Sequence, residues 1–154
     1  MSAISYRANK AKELYVIYGA LPDRDSLIEA IGFGKSYLIL DTGTDGVWQL
    51  ANALAGESGL AAIHIFSHGS VGSLFLGAAV LNQASLPGYS EALAQIGGAL
   101  SDTGDLLLYG CDVAQGDVGQ AFIEQLAGVT GADVAAADDL TGAARADWLL
   151  LRIP

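Results

Sequence analysis

Cysteine occurs once in the chain, at Cys111, and lysine only three times, at Lys10, Lys12 and Lys35. One cysteine excludes an internal disulfide framework and a cysteine-built zinc site. The scarcity of lysine leaves 7 basic residues against 17 acidic ones, a formal net charge of −10. Nucleic-acid backbones are held by clustered Lys and Arg, so this balance argues against a nucleic-acid partner. It argues equally against an anionic membrane surface. A cationic peptide is electrostatically the more natural partner, beside the simpler reading that the charge only keeps the domain in solution. No apolar run approaches the roughly 18 residues that a membrane span requires, so membrane insertion is not expected. Residues 1–13 are a polar lead-in with no apolar signal core behind it. A cytoplasmic chain and a segment of a longer exported chain both fit. Three further absences exclude mechanisms. No G-x-G-x-x-G follows the first strand and no phosphate-binding loop lysine is present, which removes the common nucleotide sites. No G-x-S-x-G elbow is present, which removes the usual serine hydrolase.

What is present is apolar content of 52% and 20 glycines in 154 residues. That is enough for one substantial core and many turns, and a single domain is expected over residues 14–154. Leu14–Tyr18 and Ser36–Leu40 read as strands, with a short helix marked by Leu27, Ile28 and Ile31 between them. The Asp41–Gly46 turn has aspartates at a spacing faintly like a calcium loop. It lacks the bidentate acid at the far end, so no cofactor is expected and helix capping by Asp or Thr is the better reading. Val47, Leu50, Ala51 and Leu54 continue at helical spacing. Two short apolar pieces around Gly77 read as a β-hairpin. Leu93, Ile96 and Leu100 mark another helix, followed by a turn over Ser101–Gly104. Gly116–Val129 is the clearest helix, with Val118, Phe122, Leu126 and Val129 on one side and Thr130-Gly131 at its end. Ala132–Ala137 is a weak strand, Asp138–Gly142 a polar loop and Trp148–Ile153 a last strand. Strands alternating with helices predict an α/β three-layer sandwich with a mostly parallel sheet.

Two stretches carry the chemistry. Ala61-Ala62-Ile63-His64-Ile65-Phe66-Ser67-His68-Gly69 is an apolar strand that ends in a histidine followed by glycine. Asp105-Leu106-Leu107-Leu108-Tyr109-Gly110-Cys111-Asp112 repeats that design with the only cysteine. Sites in open α/β sheets form at the carboxyl ends of strands. The 43 residues between His68 and Cys111 leave room for a hairpin and a helix between two neighbouring strands. A cysteine attacks as its thiolate, and a partly exposed place just before a helix favours that form. An imidazole can deliver a proton to a leaving amine at neutral pH. The N–H groups of Gly69 and Cys111 could hold a developing oxyanion. The bland alternative is a buried, inert thiol and a structural histidine. His64 lies four residues before His68, inside the apolar run. It reads as a strand residue under a helix or near a sheet edge, not as the acid–base group.

Ser67-His68-Gly69 after an apolar strand, the glycine-rich hairpin after it, and Tyr109-Gly110-Cys111-Asp112 after a second apolar strand together resemble the caspase-like (clan CD) cysteine peptidases. More closely, the chain resembles the bacterial domain of unknown function 4347, which lies in very large surface or adhesin-like proteins. The His-Ile-Phe-Ser-His-Gly-Ser, Leu-Leu-Tyr-Gly-Cys-Asp-Val and Thr-Gly-Ala-Asp-Val-Ala-Ala stretches carry the likeness, over about residues 14–147. The resemblance implies that His68 is the catalytic histidine, Cys111 the nucleophile and Gly69 the oxyanion-hole glycine. It implies a peptide or the parent polypeptide as substrate, and a place outside the cell or on its surface. The loop after the helix that follows the cysteine shapes the substrate pocket in that clan. Here it carries Asp138 and Asp139, and an acidic pocket would favour Arg or Lys, although a solvated turn is the simpler reading of both residues. Asp112 is a further pocket acid or a helix cap, the cap being the simpler reading. Two rivals stand beside the peptidase: a non-catalytic interaction or structural module of a surface protein, and a nucleotide- or cofactor-binding domain, which the missing motifs disfavour.

Overall fold

A computed structural model describes residues 13–19, 24–31, 36–109 and 113–137. Among the described residues, five strands form the central sheet: β1 (Glu13–Tyr18), β2 (Ser36–Leu40), β3 (Leu60–Phe66), β7 (Leu100–Tyr109) and β8 (Asp133–Ala137). Their spatial order is β2-β1-β3-β7-β8, and every pairing is parallel. Four helices connect them: α1 (Arg24–Ile31), α2 (Gly46–Ala53), α3 (Ser90–Gly98) and α4 (Gly116–Thr130). The chain leaves β1 toward β2 and then returns across β1 to β3, after which every step runs the same way. Right-handed crossovers therefore put α2, α3 and α4 on one face and α1 on the other. The first three pack side by side, α2 on α3 and α3 on α4, while α1 contacts β1. This is the α/β three-layer arrangement that the alternating pattern predicts.

The two faces of the sheet differ in chemistry. Leu14, Val16, Leu40, Ile63, Ile65, Leu106 and Leu108 point into an aliphatic core shared with Leu50, Leu54, Leu93, Ile96, Phe122 and Leu126 of the three helices. The alternate residues Tyr15, Ile17, His64, Phe66, Leu107 and Tyr109 are buried on the opposite face, which is largely aromatic. Strand residues with both faces covered read as continuous apolar runs, as β1 and β3 do.

Between β3 and β7 the chain builds a second, three-stranded antiparallel sheet from β4 (Gly69–Ser70), β5 (Ser73–Leu76) and β6 (Ala79–Leu81). Gly77, at φ 60°, turns the β5–β6 hairpin where the sequence places it. The hairpin sits on the start of α2. The Ala78 N–H donates to the Thr44 carbonyl at 2.7 Å, and a Cβ on Gly46 would lie 2.4 Å from the Leu76 backbone. Asp45 caps α2 by accepting from the N–H groups of Val47 and Trp48 at 2.9 and 3.2 Å. The Asp41–Gly46 turn is thus a capping device.

Three expectations are corrected. Ser101–Gly104 is not a turn, and Leu100 is not helical: both belong to β7, whose ten residues run from Leu100 to Tyr109. The pairing shifts register between Leu60↔Leu100 and Ala62↔Asp105, so a polar bulge stands where the sequence suggests a break. Gly104 is required there, because a Cβ would come 2.7 Å from the Leu60 carbonyl oxygen. On α4 the buried side is Gly119, Phe122, Leu126 and Thr130, while Val118 is 53% exposed. His64 lies on β3 as a strand residue, and of its two expected places the sheet edge drops out, because β1 pairs on one side of β3 and β7 on the other. The last strand expected at Trp148–Ile153 falls outside the described residues.

Candidate functional site

The strand order reverses between β1 and β3, and crevices at such switch points are where open α/β sheets bind ligands. Tyr18 ends β1 there and His68 follows β3. The two rings meet edge to face, with centroids 5.6 Å apart and planes at 79°. His68 is half-buried, so its imidazole is held on one side and open on another. Gly19, Ile39, Leu40, Asp41 and Thr42 line a shallow depression of about 230 Å³ at the ends of β1 and β2, with neither His68 nor Tyr18 in its lining.

The backbone around His68 is fixed by a buried hydroxyl. The side chain of Ser67, 0% exposed, lies within hydrogen-bond reach of the His68 carbonyl, at 2.8 Å, and of the Phe75 carbonyl, which share its one hydroxyl proton. The Phe75 N–H donates to that same His68 carbonyl at 3.0 Å. This bond defines the ladder between β4 and β5. Gly69 and Leu74 are opposite each other but do not exchange hydrogen bonds, because bonded and non-bonded pairs alternate. The Gly69 N–H is therefore turned away from β5, toward the outer side of β4.

The strand bearing His68 lies directly beside β7, in the register Ile65↔Leu108 and Phe66↔Tyr109. Two backbone bonds continue that association past the strand ends. The Ser67 N–H donates to the Tyr109 carbonyl at 3.1 Å, and the Gly72 N–H donates to the Val113 carbonyl at 3.0 Å. Val113 is fully buried, and a Cβ on Gly72 would sit 2.6 Å from the Val118 side chain. The Ser67–Gly72 segment, with His68 in it, is thus tied to residues on both sides of Gly110-Cys111-Asp112. Cys111 and Asp112 themselves, with Asp138 and Asp139, lie outside the described residues. The capping position of α4 is held by Gln115, whose own side chain makes no capping hydrogen bond.

A polar cluster that sequence reading does not anticipate lies on the aromatic face. His64, 1% exposed, places Nε2 2.6 Å from Glu13 Oε1 and Nδ1 3.2 Å from the Tyr109 hydroxyl. Its ring stacks on Tyr15 at 4.4 Å, and Tyr109 stacks on Phe66 at 4.4 Å. Burial pushes the Tyr15 hydroxyl well above its ordinary range, with Glu13 and Tyr109 adding to the effect. Among the described residues, that hydroxyl is buried without a hydrogen-bond partner. The period-two pattern around His64 was readable, but its partner Glu13 lies 51 residues away, and only the β1–β3 register brings them together. Among the described residues, no three His, Cys, Asp or Glu side chains gather as metal ligands. No described helix is long and apolar enough to cross a membrane.

The fold and site define a doubly wound α/β domain with a histidine at its switch point. The chain belongs to a domain family of unknown function, DUF4347, whose model matches residues 14–152. Neither the curated proteins nor the solved structures gave a match.

Proposed function

We propose that the domain is a caspase-like cysteine endopeptidase in which Cys111 is the nucleophile and His68 the acid–base group. One observation carries this reading. The segment holding His68 is bonded to Tyr109 on one side of Cys111 and to Val113 on the other. His68 and Cys111 each stand two residues beyond the paired residues Phe66 and Tyr109.

The chemistry follows from those roles. The Cys111 thiolate attacks the carbonyl carbon of the scissile peptide, forming a C–S bond and an oxyanion. The Gly69 N–H, turned to the open side of β4, donates to that oxyanion together with the Cys111 N–H. The His68 imidazolium gives its proton to the leaving nitrogen as the C–N bond breaks. Neutral His68 then takes a proton from water as it attacks the thioester, and the thiolate departs. Tyr18 holds the imidazole edge on, which limits its rotation. The negative net charge and the acidic residues Asp112, Asp138 and Asp139 favour cleavage after Arg or Lys. The work proposed is limited processing of a larger bacterial surface protein, including the parent polypeptide itself.

The test is cleavage, both of a peptide set varied before the scissile bond and of a longer chain carrying the domain. The native domain is expected to cut after basic residues. Cys111→Ala should abolish cutting, and His68→Ala should lower the rate by about a hundredfold or more, the usual worth of a general acid. Cutting that survives in Cys111→Ala overturns the proposal. A native domain that cuts nothing favours the non-catalytic surface module.

A further inference from the structure

We propose that His64 and Tyr109 are positioning residues of this site, locking the exits of β3 and β7 against each other through one hydrogen bond. The inference rests on the reading of Cys111 as a nucleophile. It deepens that reading by assigning a role to a buried cluster that the reaction itself does not use.

Tyr109 is the last described residue of β7, two positions before Cys111. Its hydroxyl bonds His64 Nδ1, its ring lies on Phe66, and its carbonyl accepts from the Ser67 N–H. Phe66 and Ser67 lead directly into His68. Any sliding of Tyr109 along the sheet therefore shifts the two strand exits relative to each other. The 2.6 Å contact with Glu13 identifies the tautomer in the neutral ring. Nε2–H donates to the Glu13 carboxylate, which leaves Nδ1 free to accept from the Tyr109 hydroxyl. Glu13 thus orients His64, and His64 orients Tyr109. Stacking between Tyr15 and Tyr109 keeps the imidazole plane fixed. A buried polar histidine is a costly way to fill a sheet face unless its hydrogen bonds are made, and an apolar side chain of similar volume would fill it as well. The geometric constraint on Tyr109 accounts for its presence.

The chemistry of the two ring nitrogens supplies a selective test. In His64→Asn the side-chain oxygen occupies the place of Nδ1 and still accepts from Tyr109. In His64→Gln the amide reaches the place of Nε2 and keeps Glu13 while losing Tyr109. The native domain and these variants, with Tyr109→Phe, are reacted with a peptide-like electrophile, and the maximal rate of Cys111 labelling is separated from the half-saturating concentration. Tyr109→Phe and His64→Gln should each slow the maximal rate about tenfold with the half-saturating concentration unchanged, as expected for one lost hydrogen bond. Their double variant should be no slower than either, because both remove the same contact. His64→Asn should recover most of the loss. Equal effects of Gln and Asn, or a Tyr109→Phe variant that labels at the native rate, overturn the positioning role while leaving the nucleophile assigned. A native domain that does not label at Cys111 overturns both.

Discussion

Asp45 shows how one side chain joins two elements. One carboxylate oxygen caps α2, and the other accepts from the Tyr89 hydroxyl at 2.6 Å. Loss of the cap in Asp45→Ala should cost about 1 kcal/mol, with more from the orphaned Tyr89, measured by denaturant titration. The same bond makes stability pH-dependent. Donation to Asp45 raises the Tyr89 pKa from 10.0 to about 12, with burial adding to it. The folded chain therefore holds this proton more tightly than the unfolded chain. The contribution is complete below about pH 10 and is lost as pH rises toward about 12. Tyr89→Phe should remove that part of the alkaline slope, read from thermal midpoints across the window. Ser67 is the second residue of this kind. Ser67→Ala should cost about 1–3 kcal/mol by leaving buried carbonyls short of a donor, and should lower Cys111 labelling because the His68 backbone loses its brace. The serine was visible in the Ser-His-Gly motif, yet its bond to Phe75 was not, since that bond depends on how β5 folds back.

Elements meet closely where glycine permits it. A Cβ on Gly97 of α3 would fall 1.9 Å from the Thr130 carbonyl oxygen at the end of α4. Gly97→Ala must therefore push α3 and α4 apart, at a cost of roughly 1–3 kcal/mol. Calorimetry should show a lower midpoint with the site chemistry retained. A midpoint at the native value would mean that the two helices are not in contact there. Element identity was legible where periodicity was strong. β1, β2, β3 and α4 appear within a residue or so of their sequence positions, because Leu14–Tyr18 and Ile63–Phe66 are unbroken apolar runs and Gly131 enforces the end of α4 at φ 74°. β7 was legible only in its second half. Its polar first half, Ser101–Gly104, has turn-like composition, and it becomes a strand because the Leu60–Leu100 pairing holds its start to β3. Val118 fits a helical stripe by spacing but packs at its margin against Gly72, a tertiary fact that no local pattern contains.

At the scale of the molecule, the fold sets two strand exits side by side, as the proposed chemistry requires. The sequence displayed both exits, as apolar runs ending in Ser67-His68-Gly69 and Gly110-Cys111-Asp112. It also displayed that 43 residues suffice for a hairpin and helix between them, and β4–β6 with α3 occupy that interval. The sequence could not display the register, because Phe66↔Tyr109 is settled by packing across the whole sheet. Nor could it display the Glu13–His64–Tyr109 chain, whose members come from three strands. The central claim is that Cys111 is a nucleophile served by His68. The most direct measurement is the rate at which a peptide-like electrophile bearing Arg labels Cys111 in the folded native domain, compared with His68→Ala, with the modified residue located by mass spectrometry. Cys111 is expected to be labelled in the folded chain, with labelling lost on denaturation and slowed in His68→Ala. A thiol that reacts only after unfolding, or at a rate indifferent to His68, would contradict it.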